Sequence, residues 1–240
     1  MGLETFLNTQ QKLNNMELFL SGGGIGTDSK EIDDLFANSV DKSKPLLYIP
    51  IAINQTKRPY TSCFKFISDV FNPRGIKDIV MWTEKDIANN AFNIDTFGGI
   101  YVGGGNTFYL LKRLKETNFD VKLIKAIKRG IPYYGGSAGA IICGKSILPA
   151  SLSDKNQVKL TDLKGFDLLD KYSISCHYKT EKFEKIRELQ QYNKLHIIAL
   201  PEDCGIYCKD TKIKVIGYSP AYIFQNKLLK IQSNSMIKNV

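Results

Sequence analysis

Gly135-Gly136-Ser137-Ala138-Gly139-Ala140 lies between the apolar run Ile131 to Tyr134 and the small-residue run Ala140 to Gly144. G-x-S-x-G is the spacing of a nucleophile elbow. A sharp strand-to-helix turn pushes the serine hydroxyl out of the sheet edge, and crowding admits only Gly and Ala beside it. A serine presented this way can attack a carbonyl carbon, which is hydrolase chemistry.

A serine hydroxyl is a weak nucleophile at neutral pH, so Ser137 needs a base within hydrogen-bond reach and a third group to orient that base. The chain has two histidines. His196 opens the apolar run Leu195 to Leu200 and reads as a strand-edge residue. His177 follows a short strand and precedes a helix, at the carboxyl ends of the strands, where open α/β sheets place their active sites. His177 is therefore the expected base. Glu202, in the turn Pro201-Glu202-Asp203 after the His196 strand, is one candidate for the orienting acid. Asp203, Asp154 and Asp167 also qualify, and spacing leaves the choice open. The oxyanion of an acyl-transfer transition state needs preorganised N–H donors. Ala138 offers one, and Gly104 and Gly105, in the glycine loop before the helix opening at Asn106-Thr107, offer others. The loop lacks both G-x-x-x-x-G-K-[ST] and a spaced G-x-G-x-x-G, so it does not read as a phosphate cradle.

These residues need a scaffold, and the apolar runs supply one. Leu18 to Leu20 runs into Ser21-Gly22-Gly23-Gly24 as a strand ending in a glycine loop. Strands follow at 46–51, 79–82, 99–102 and 131–134, interleaved with helices at 60–71, 107–116 and 121–128. Strands that read as continuous apolar runs and alternate with helices predict an α/β fold, a mostly parallel sheet with helices on both faces. Beyond a loop-like stretch at 146–171, a strand at 172–176, a helix at 181–192 and a strand at 196–200 are expected. The tail reads as hairpin strands at 205–208, 214–217, 222–224 and 228–231. Residues 1–15 are polar and aperiodic, an N-terminal extension to a single domain at 16–240.

A length of 240 residues with 43% hydrophobic residues supports a sizeable core. The apolar stretches are strand-sized, so no membrane span or secretory segment is expected. Five scattered cysteines without C-x-x-C spacing, and two histidines, argue against a metal site; the thiols read as reduced core residues of a cytoplasmic protein. The net charge of +9 comes from lysines dispersed over helix faces such as Lys122, Lys125 and Lys128, which does not point to a nucleic-acid partner. No cofactor is required.

Taken as a set, Val102 to Phe108, Gly136 to Ala140, Gly165-Phe166-Asp167, His177 and Leu200-Pro201-Glu202 resemble the peptidase E family of aspartyl dipeptidases, which includes cyanophycinase. The likeness runs from about Met16 to Phe224. It implies a flavodoxin-like three-layer sandwich like that of class I glutamine amidotransferases, and a serine peptidase with a Ser137, His177, Glu202 triad. The resemblance also implies oxyanion donors in the Gly103 to Gly105 loop and at Ala138. Asp154 falls near a family aspartate suited to the substrate's amino group, and Asn106 is a further substrate-facing candidate. Lys182 stands about where the family's aspartate-gripping arginine would fall. Lysine lacks the planar bidentate fork, so the first-residue preference is expected to differ. The expected substrate is a short peptide and the expected assembly a monomer or homodimer. A cyanophycinase-like hydrolase of an aspartate-backbone polymer, or a non-catalytic binding protein on the same fold, are the rivals.

Overall fold

A computed structural model describes residues 15–89 and 93–237. The expected extension at 1–15 lies outside the described residues apart from Asn15. The elements are β1 (Glu17–Ser21), α1 (Lys30–Ser39), β2 (Leu46–Ile49), α2 (Tyr60–Phe71), β3 (Ile79–Met81), α3 (Glu84–Ala88), β4 (Gly99–Val102), α4 (Thr107–Glu116), α5 (Phe119–Lys128), β5 (Tyr133–Gly136) and α6 (Ala138–Ile141). They continue with β6 (Tyr172–Ser175), α7 (Phe183–Asn193), β7 (His196–Ala199), β8 (Cys204–Lys209), β9 (Lys212–Gly217), β10 (Ala221–Phe224), β11 (Leu229–Ile231) and β12 (Met236–Ile237).

The main sheet has eight strands in the order β12-β9-β8-β1-β5-β4-β2-β3. From β1 to β3 every pair is parallel, and β2, β4 and β5 are buried along their whole length, as strands covered on both faces must be. The other three strands are antiparallel, so the sheet is mixed and less parallel than expected. The cause is the hairpin of β8 and β9, turned at Asp210-Thr211 with Asp210 at φ 55°, which docks along β1. A second sheet, β11-β10-β7-β6, was not foreseen; it takes in the strands before and after α7 and the next hairpin. Helix α1 is also unforeseen, since the sequence reading assigns nothing between the first glycine loop and β2.

One face of the main sheet carries α1 and α2 over an aromatic cluster in which Phe36 and Phe71 meet Tyr134 edge-on, with ring centroids 5.4 and 6.4 Å apart. Such contacts add about 0.5–1.5 kcal/mol each to the area buried. The other face packs α4, α5, α6 and the inner side of the second sheet through Leu110, Leu123, Ile142, Ile174 and Ile198. Helix α7 covers the outer side of that second sheet with Ile186 against Ile197 and Phe224. All the parallel strands of the main sheet point their carboxyl ends at one rim, and the second sheet brings β6 to the same rim.

Candidate active site

β5 runs through Gly136 and stops, and α6 begins at Ala138, leaving Ser137 alone to make the turn at φ 48° and ψ −102°. This conformation is costly for a side-chain-bearing residue and persists only where the surroundings enforce it. The enforcement is contact. A Cβ on Gly135 would lie 2.5 Å from the Gly139 carbonyl oxygen, and one on Gly139 would lie 2.3 Å from that of Val102. The Ser137 N–H is held by the Ser21 carbonyl at 3.2 Å, which ties the elbow to the end of β1.

His177 follows β6 in the left-handed region at φ 53°. Its N–H donates to the Gly22 carbonyl at 2.9 Å, and the Tyr178 N–H donates to that of Leu200 at 2.9 Å. These bonds turn the ring toward the elbow. Nε2 lies 2.9 Å from Ser137 Oγ, and Nδ1 lies 3.0 Å from Glu202 Oε1. With Nδ1–H donating to the carboxylate, Nε2 is left as the acceptor for the serine proton. Glu202 sits in the turn after β7, and its carbonyl accepts the Gly24 N–H at 3.0 Å.

The competing candidates are engaged by other partners or lie elsewhere. His196 pairs in register with Tyr172, at the opposite end of β6 from His177, and its Nδ1 meets Gln225 Oε1 at 3.3 Å. Asp203 accepts the Ser219 hydroxyl at 2.8 Å. Asp167 lines a separate hollow beside Met16 and Asp210. Asp154 accepts the Thr107 N–H at 2.8 Å, capping α4.

A cleft of about 520 Å³ opens over Ser137 and His177. Gly104 borders it: a Cβ there would lie 3.3 Å from Ser137 Cβ. Among the described residues, no protein acceptor takes the N–H of Gly104, Gly105 or Ala138. Asn106 reaches the rim with both ends of its amide engaged, Oδ1 accepting the Tyr109 N–H and Nδ2 donating to the Lys155 carbonyl, each at 2.9 Å. Asp154 lines the cleft, whereas Lys182 stands behind its wall, donating to Ser153 Oγ at 3.0 Å, and burial lowers its pKa.

Sequence reasoning missed two groups. One is Gly23 at φ 112°, whose bare Cα lies against the imidazole face: a Cβ would fall 2.3 Å from His177 Cε1. The triple glycine after β1 is visible in the sequence, but its place becomes visible only through the pairing of Ser21 with Gly136. The other is the loop after β2, which brings Lys57 and Arg58 to the cleft; no motif marks it. The described residues contain no group of three or more His, Cys, Asp or Glu side chains placed to hold a metal ion, and no helix long and apolar enough to cross a membrane. All five cysteines are buried and unpaired.

The peptidase family S51 model matches residues 18–216. Peptidase E of Shewanella sp. is 29% identical over 152 residues, 57% of this chain and 62% of its own length, so the match spans under two thirds of that relative. Peptidase E of Salmonella heidelberg is 28% identical over 204 residues, 80% of this chain and 84% of its own. Among solved structures, a Listeria monocytogenes EGD-e protein described as a peptidase E superposes with a TM-score of 0.64 at 25% identity, covering 85% of this chain and 99% of that one. A peptidase from an acI-B1 Actinobacterium shares the fold, with a TM-score of 0.69 at 17% identity over 94% of this chain and 98% of its own. The family match takes in the elbow, the histidine turn and the Glu202 turn together, and the chain belongs to peptidase family S51.

Proposed function

We propose that this protein is a serine exopeptidase hydrolysing short peptides through an acyl-enzyme. His177 Nε2 takes the proton as Ser137 Oγ attacks the scissile carbonyl carbon. Glu202 orients the ring and stabilises the imidazolium that forms. The oxyanion is held by Ala138 N–H and by Gly104 and Gly105 N–H, all three without a protein acceptor among the described residues. The imidazolium returns its proton to the leaving amine, and water, activated by the same ring, releases the acid. The observation that carries this reading is the hydrogen-bonded chain Ser137–His177–Glu202, at 2.9 and 3.0 Å, at the mouth of a cleft.

Asp154 receives the peptide's amino group in this reading, with Asn106 shaping the adjoining rim and Lys182 acting through Ser153 instead of touching substrate. The architecture is read as that of class I glutamine amidotransferases, supported by the five consecutive parallel strands and the nucleophile at the turn from β5 to α6. Five unbridged buried cysteines favour a reducing, cytoplasmic setting.

The test is Ser137→Ala. Dipeptide turnover and fluorophosphonate labelling are both expected to disappear in the variant. Full turnover by it would remove the proposal.

A further inference from the structure

Among the described residues, the ionisable Lys, Arg, Asp, Glu and His side chains lining the cleft are Lys57, Arg58, Asp154 and His177. With His177 engaged by Ser137 and Glu202, one anion and two cations remain. They belong to opposite faces of the sheet. Asp154 follows Ala150, part of the core on the face carrying α4. Arg58 lies over the Phe66 ring, 5.0 Å from its centroid, and Phe66 packs into the aromatic cluster under α1 and α2. The glycine loop and the elbow stand between the two.

Neither Lys57 nor Arg58 has a carboxylate partner among the described residues. Arg58 is nevertheless positioned: its guanidinium carbon lies over the Phe66 ring, 5.0 Å from the centroid, beside the rings of Tyr48 and Tyr101 that also line the cleft. Those rings, with Tyr134 stacked on Tyr101 at 4.5 Å, wall this arm of the cleft. A planar fork without a carboxylate partner, held over one aromatic ring and beside others, is suited to a carboxylate.

We infer that Arg58, assisted by Lys57, binds the free C-terminal carboxylate of the substrate's leaving residue, so that the cleft selects dipeptides as zwitterions. This inference rests on the proposed orientation of the amino group toward Asp154. The two charges of a dipeptide flank one peptide bond, and the two charged arms of the cleft flank one serine. Neutralising the carboxylate, or moving it outward by further residues, forfeits the Arg58 contact.

The experiment measures affinity, which keeps it separate from catalysis. Asp-Leu, Ala-Leu and Leu-Leu, each as free acid and as C-terminal amide, are titrated calorimetrically into Ser137→Ala and into Ser137→Ala carrying Lys57→Gln and Arg58→Gln. In Ser137→Ala at least one acid is expected to bind about 10-fold or more tightly than its amide, and the added substitutions are expected to bring that ratio close to one. Equal affinity for acid and amide in Ser137→Ala, no measurable binding of any acid, or an undiminished ratio in the triple variant overturns the inference. Turnover retained by Ser137→Ala would instead overturn the serine mechanism and leave the binding ratio to stand by itself.

Discussion

Placing a methyl group on Gly23 should disable the enzyme without unfolding it. A Cβ there would lie 2.3, 2.6 and 2.9 Å from Cε1, Nε2 and Nδ1 of His177, so it strikes the ring face. Carbon atoms settle near ~3.5 Å, so the imidazole must retreat by roughly 1 Å or rotate. Either movement spoils the paired bonds to Ser137 Oγ at 2.9 Å and Glu202 Oε1 at 3.0 Å. A misplacement of about 1 Å in a reacting group costs on the order of 10²-fold in rate, about 2.7 kcal/mol of transition-state stabilisation. The backbone adds its own cost, because φ 112° suits glycine, and an alanine there loses about 1–3 kcal/mol of stability. A domain with about 5–15 kcal/mol in hand remains folded. The assay is kcat/KM on a dipeptide panel together with the rate of fluorophosphonate labelling, with urea unfolding in parallel. Gly26→Ala is the control: φ is 66°, and nothing lies within 4 Å of the added methyl, so it carries backbone strain without the collision. Gly23→Ala is expected to lose about 10²-fold in both activity and labelling, and Gly26→Ala to lose stability alone, about 1–2 kcal/mol. Gly23→Ala activity within about threefold of wild type would refute the claim that this ring, in this position, is the base.

Asp154 is assigned a structural and a binding task, and two substitutions separate them. Asp154→Ala loses the acceptor that caps α4 at Thr107 and should cost about 1 kcal/mol, whereas Asp154→Asn keeps an acceptor and should not. Both should raise KM for dipeptides through loss of the charge; a wild-type KM in Asp154→Asn would show that the carboxylate is structural only. Beneath the elbow, Asp33 accepts the Tyr134 and Ser29 hydroxyls at 2.7 and 2.8 Å, and burial raises its pKa above the ordinary 3.8. A raised folded pKa means that the fold prefers the protonated acid. Its contribution to stability is full below the unfolded value and lost as pH rises through the folded one. Asp33→Asn keeps a partner for each hydroxyl and removes that loss, so urea midpoints from about pH 4 to about pH 8 should shift progressively in the variant's favour. A difference that stays constant with pH would show that Asp33 binds its proton equally in the folded and unfolded chain, which refutes the raised pKa.

The elbow is legible in the sequence because its determinants are contiguous: the glycines that let Val102 and Gly139 approach stand within two residues of Ser137. The parallel strands are legible as well, since a strand covered on both faces is an unbroken apolar run, as at Leu46 to Ile49 and Gly99 to Val102. The hairpin at Asp210 is announced by its flanking strands. Helix α1 was not, although it buries Ile32, Asp33, Phe36 and Ala37 on one face. That buried face includes an aspartate, which breaks the apolar stripe expected of a helix packed on a sheet.

What the sequence determined by itself is the local part of this protein: the turn that exposes one serine, the alternation that builds a parallel sheet, and two histidines as the whole supply of imidazole. Only the tertiary structure decided which distant residues meet at that serine. Forty residues of chain separate Ser137 from His177, and twenty-five separate His177 from Glu202. Glu202 and Asp203 are adjacent and alike in chemistry, yet one meets the ring and the other meets Ser219, because consecutive residues in a turn point different ways. Gly23 against the imidazole and Arg58 in the same cleft as the tyrosines follow from strand order, through β1 beside β5 and β2 beside β4. Strand order is set by the packing of whole faces across the core, and no local pattern encodes it.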